Sequence, residues 1–113
     1  MIRKLYFSLI LLCLYSCSEK TDRIQFTVEN FSKGRIDTQK PYPNKSYTKA
    51  LIRVKGFCND SIIIKEQGDT YNFKFSGNID TILQMEYYGT YNKIFLFNPY
   101  RCTNGKLLIE YDL

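Results

Sequence analysis

In most segments between Ile24 and Tyr111 the apolar side chains recur at every second position, and no segment in that range makes a convincing helix. Successive side chains of an extended strand point to opposite faces, whereas a helix returns to one face every three to four residues. The alternation therefore confines this part of the chain to half-buried strands. Ile24, Phe26 and Val28 alternate with Gln25, Thr27 and Glu29; Ala50, Ile52 and Val54 alternate with Leu51, Arg53 and Lys55. Tyr71, Phe73 and Phe75 form a third such face, and Ile79, Thr81, Leu83 and Met85 a fourth. Residues 61–66 carry Ile62, Ile63 and Ile64, and Leu107, Ile109 and Tyr111 make the last strand. Ile94, Phe95, Leu96 and Phe97 are apolar on both faces, as in a central strand. Gln67-Gly68-Asp69, Gly77-Asn78 and Asn104-Gly105 read as turns, and residues 30–49, rich in Lys, Asn, Ser and Pro, as a crossover between sheets, the other reading being a domain that starts near Ser46 with the first strand loosely held. The expectation is an all-β domain over residues 24–113: a small antiparallel sandwich, immunoglobulin-like or Greek-key, of about seven strands.

The first residues have a different character. Arg3 and Lys4 precede an apolar run from Leu5 to Leu14, and the chain turns polar at Ser18-Glu19-Lys20. A basic start followed by about ten apolar residues has the form of a secretory leader. As a helix the run would rise about 15 Å, half of what a hydrocarbon core of about 30 Å requires, so it does not span a membrane.

Leu14-Tyr15-Ser16-Cys17 resembles the lipobox of bacterial lipoproteins, with Leu three places before the cysteine and a small residue directly before it. The resemblance covers residues 1–17 alone. It implies that signal peptidase II removes residues 1–16 and that Cys17 carries a diacylglycerol and an N-acyl chain. A single acyl chain binds a membrane only marginally, while two or three hold it stably. Residues 17–23 would then be the lipidated cysteine and its tether, and the protein would be anchored to a membrane of the bacterial cell envelope.

Processing at that point takes Arg3 and Lys4 from the 16 basic side chains and nothing from the 11 acidic ones, so the net charge falls from +5 to +3. The remaining cations are scattered rather than clustered, unlike those of a nucleic-acid reader. Of the 4 cysteines, Cys13 leaves with the leader and Cys17 is consumed by lipid. The remaining pair, Cys58 and Cys102, reads as a disulfide in an oxidising compartment, with two free buried thiols as the other reading. Zinc would lack ligands, since the chain has no histidine.

The missing histidine also removes the commonest general base and the usual partner of a nucleophilic serine or cysteine. Ser46-Tyr47-Thr48-Lys49 fits an S-x-x-K pattern, but it lacks the helix and the companion motifs that such a site needs. Asp60, Asp80, Glu86, Glu110 and Asp112 read as solvated carboxylates on strand faces and in turns. No catalytic residue, metal site or cofactor is expected.

Tyrosines are the residual signal. Tyr87, Tyr88 and Tyr91 sit in one loop, and Tyr100 follows Pro99. A tyrosine combines a large rigid ring with a polar tip, so a loop of them suits a protein or glycan partner, although the plainer reading, that two of the rings cap the core by packing across the hairpin, ranks ahead of it. The resulting expectation is a non-catalytic, lipid-anchored binding or envelope-structural module. The other function that fits is an inhibitor or immunity lipoprotein that plugs a toxin or hydrolase.

Overall fold

The computed structural model of the protein describes residues 22–68 and 72–113. The leader, Cys17 and Tyr71 lie outside the described residues. Within them the chain is all-β, with six strands and no helix: β1 (Arg23–Val28), β2 (Arg35–Gln39), β3 (Lys49–Glu66), β4 (Asn72–Glu86), β5 (Lys93–Asn98) and β6 (Gly105–Asp112). Every pairing is antiparallel.

β3 organises the molecule. It is 18 residues long and buries Ala50, Ile52, Val54, Cys58, Ile62 and Ile64 on one face. β4 pairs with it on both sides of a register shift between Cys58 and Ile62. β6 pairs with Leu51 through Cys58, and β5 with Ile63 through Glu66. β1 adds to β6 and β2 to β5, giving the order β1-β6-β3-β5-β2. Extra residues in one strand bend it and increase its twist. The bend brings the β5 and β2 half over the β6 and β1 half, and the sheet nearly closes into a barrel.

β1 and β2 flank the remaining gap without a backbone ladder between them. Gln39 spans it instead: its buried Nε2 donates to the carbonyls of Tyr111, at 2.9 Å, and Asp22, at 3.2 Å. Beneath the seam the Phe95 ring stacks on Tyr111, centroids 4.4 Å apart at 17°, and Phe26 packs against Tyr111 and Phe97. Aromatic pairs of this kind contribute about 0.5–1.5 kcal/mol each beyond the area they bury.

The strand count differs from the expected seven-strand sandwich for three reasons. The segments near residues 50–55 and 61–66 are one strand, because the chain bulges between them instead of reversing. Likewise Gly77, at φ 73°, uses its left-handed backbone for an irregularity inside β4 rather than for a hairpin turn. Residues 30–49 are more than a crossover: they contain β2, whose sequence Arg-Ile-Asp-Thr-Gln has little apolar content to betray it. β5 does lie between two strands, with Lys93, Phe95 and Phe97 inside and Ile94 and Leu96 half-buried outside.

Candidate functional site

The loop of residues 87–92 joins β4 to β5, and its geometry is set from below. Tyr87 is 1% exposed. Its N–H donates to the Thr48 carbonyl, and its hydroxyl donates to the Tyr91 carbonyl. The Tyr87 ring meets Tyr91 edge-on at 5.2 Å and Tyr47 at 6.0 Å. Gly89, at φ 78°, lies so close to Tyr47 that a Cβ there would sit 2.7 Å from the ring. Tyr47 is itself fixed: its hydroxyl accepts from the Tyr42 N–H at 2.8 Å and bonds the Asp22 carboxylate at 3.2 Å.

Under the loop lies Lys93, 1% exposed. Its Nζ donates to Glu66 Oε1 at 2.8 Å and approaches the Met85 sulfur at 3.4 Å. The same ammonium stands 5.2 Å from the Tyr87 ring centroid, 5.5 Å from that of Tyr91 and 5.7 Å from that of Phe95. A buried ammonium needs such an acidic partner and ring faces to offset its lost hydration. Burial, and then the neighbouring Tyr91, Tyr47 and Glu66, push the Tyr87 phenol up from its ordinary pKa. It remains neutral at physiological pH and keeps donating its hydrogen bond.

Two rings project from this base. Tyr88 is 62% exposed and Tyr91 52%. The expected tyrosine group therefore divides: Tyr87 is packing, while Tyr88 and Tyr91 face solvent. Tyr100 is exposed but does not join them, because it lies beyond the opposite end of the 6-residue β5, roughly 20 Å away at about 3.3 Å per residue. It sits at φ 54°, a conformation rare for a bulky side chain. The Asn98 side chain accepts its N–H at 2.8 Å, and Lys74 and Arg101 approach its ring at 5.1 and 5.3 Å. Tyr47, Glu66 and Lys93, which shape the tyrosine loop, were not expected there. They come from three separate strands and loops, and the one local hint is Gly89, whose backbone lets the loop approach a ring.

Cys58 and Cys102 are both buried and adjacent. They are free thiols, so the expected bridge is not formed in this structure. Burial first, and then Cys102, push the Cys58 thiol up. Their approach follows from register. Asn98 pairs with Ile63 and Gly105 with Cys58, so residues 99–104 must cross the bulge of β3. Asn59 Oδ1 accepts the N–H groups of Thr103 and Asn104, and the Ser61 carbonyl accepts those of Arg101 and Cys102. This clamp sets Cys102 over Cys58.

Asp60 accepts the Ser61 N–H at 2.7 Å, and the other candidate carboxylates are held by cations or stand opposite them, Asp112 opposite Arg23. Glu110 bonds Arg23 at 2.6 Å and Arg53 at 3.1 Å. Asp80 stands opposite Lys55 and Glu86 opposite Lys49. Asp80 and Glu110 line one shallow cleft of about 270 Å³ on the outer face of the sheet, beside Leu108 and Ile82. Among the described residues, no three His, Cys, Asp or Glu side chains gather where they could hold a metal ion.

No family model matches the chain, and no curated protein does. A solved structure, the crystal structure of PirA, is similar over 82% of this chain and 95% of its own, at 13% identity and a TM-score of 0.48. A likeness that distant assigns neither a fold family nor an activity.

Proposed function

We propose that the protein is a non-catalytic binding module of the bacterial cell envelope, tethered to the membrane through lipid on Cys17, which engages a protein or glycan through Tyr88 and Tyr91. The observation that carries this reading is the contrast within one loop: two exposed rings stand on a base of buried Tyr87, Tyr47 and Lys93. A ring held in place before binding, as Tyr91 is by Tyr87 and Lys93, loses little conformational freedom on contact, which raises affinity for a given contact area. The basic, apolar leader and the lipobox-like residues 14–17 support the anchor.

Cys58 and Cys102 become a disulfide on export in this account. An envelope thiol–disulfide oxidant accepts the two electrons and two protons released as the S–S bond forms. Burial of both thiols side by side supports the pairing. An inhibitor or immunity lipoprotein is the second reading. It is favoured by Tyr100, a single ring projected by a clamped loop and flanked by Lys74 and Arg101.

The two are separated by capture from native envelope with the anchor intact. In the binding-module reading, Tyr88→Ala with Tyr91→Ala loses the captured partner and Tyr100→Ala keeps it. The inhibitor reading predicts the reverse. Retention by both variants contradicts both readings.

A further inference from the structure

β4 is the outer strand of the sheet. Among the described residues it pairs with β3 alone, leaving a second edge along a strand of 15 residues. Edge strands of natural proteins are usually short or blocked by proline, a bulge or an inward-pointing charge, because a bare edge recruits another strand. Residues 78–86 have none of these blocks. They pair with β3 in unbroken register, the irregularity lying beyond Gly77. They contain no proline, and their acids, Asp80 and Glu86, are on the exposed face. The core-side residues Ile79, Thr81, Leu83 and Met85 are uncharged, and the last three are only half-covered. On the opposite face Ile82 is 57% exposed.

We propose that this edge pairs with β4 of a second copy of the chain, antiparallel, about a twofold axis at Ile82. The occupant follows from self-complementarity. In that register Ile82 meets Ile82, Asp80 meets Gln84, and Asn78 meets Glu86 on the solvent face. Ile79 meets Met85 and Thr81 meets Leu83 on the core face. No like charges stand opposite each other, and the half-covered side chains gain an apolar neighbour. Centring the axis on Asp80 sets two carboxylates face to face, and centring it on Leu83 sets Asp80 against Glu86. The backbone groups of the free edge supply the hydrogen bonds and the exposed isoleucine fixes the register, as in other strand-addition interfaces. The pairing joins β1, β6, β3 and β4 of both copies into one continuous sheet. It puts the two tyrosine loops roughly 33 Å apart at about 3.3 Å per residue, so each dimer presents two binding loops.

The test uses the full chain in detergent micelles. Ile82→Cys sits on the axis at an exposed position and should form a disulfide-linked dimer under mild oxidation. Asn78→Cys should not, since its two copies lie roughly 26 Å apart at about 3.3 Å per residue. The unsubstituted chain should give no such product. Sedimentation should return the mass of two chains, and Ile82→Lys should raise the dimer dissociation constant at least about tenfold by opposing two like charges. An unchanged melting temperature for Ile82→Lys would show that the fold survives; should it unfold, the cysteine pair decides alone. A single-chain mass at every concentration, equal cross-linking by both cysteine variants, or a product with a different protein would overturn the proposal.

Discussion

Gln39 Nε2 donates to the main-chain carbonyl of Tyr111 at 2.9 Å, across the gap that keeps the sheet from closing into a complete barrel. The same amide donates to the Asp22 carbonyl beside β1, so one side chain ties β2 to β6 and to the start of β1 where no backbone ladder runs. The bond is fully buried, so its loss leaves the Tyr111 carbonyl without that donor.

Gln39→Ala should therefore destabilise the domain by about 1–3 kcal/mol, the cost of leaving a buried acceptor unsatisfied. Urea unfolding followed by circular dichroism measures it. A change within about 0.5 kcal/mol, as for ordinary surface substitutions, would mean that the seam holds without it.

Lys93 and Glu66 form the ionic floor of the tyrosine loop. Lys93→Met or Glu66→Gln alone should cost about 3–5 kcal/mol, because each leaves its partner buried and uncompensated. The double variant should cost clearly less than the sum of the two. Additive losses would show that the pair is not coupled.

Tyr111 gives the fold an alkaline limit. Its phenol is 0% exposed, its hydroxyl finds no hydrogen-bond partner among the described residues, and burial, with Asp37 adding, drives its pKa far above the ordinary value. Arg35 opposes this weakly. The folded chain favours the neutral phenol, so the stability associated with it is complete below the unfolded pKa of about 10 and is lost as pH climbs above that. Tyr87 is shifted the same way and adds to the effect. Melting temperature should hold steady to about pH 10 and fall beyond it, and Tyr111→Phe should flatten the fall without loss of stability at neutral pH. An identical alkaline slope in Tyr111→Phe would refute this.

Oxidation of Cys58 and Cys102 should raise stability by about 4 kcal/mol in the chain-entropy account, since the closed loop holds about 45 residues. Protein taken from the envelope, unfolded in denaturant and alkylated without reductant should show neither thiol modified by intact mass. Modification of either one would show that the pair stays reduced.

Much of the fold is legible in the chain because alternation is local. β1, β5 and β6 lie within a residue or two of the segments whose apolar residues mark them. The rest depends on contacts that alternation does not encode. Whether Gly77 turns the chain or kinks a strand is decided by β3, which pairs on both sides of it. β2 exists because β5 offers it an edge and Gln39 a bond, although Ile36 is its only aliphatic residue and is exposed. Of the candidate site, the tyrosines were visible as a cluster. The separation of buried Tyr87 from exposed Tyr88 and Tyr91 was not, because Tyr47 and Lys93 reach the loop only once the strands are assembled.

All functional conclusions depend on where the chain is held. Growth with a clickable palmitate analogue, comparing the wild-type chain with Cys17→Ala, measures that directly. The account predicts labelled wild-type protein whose mature sequence starts at Cys17, and no label on the variant. Equal labelling of the two, or a mature product that still starts at Met1, would contradict it.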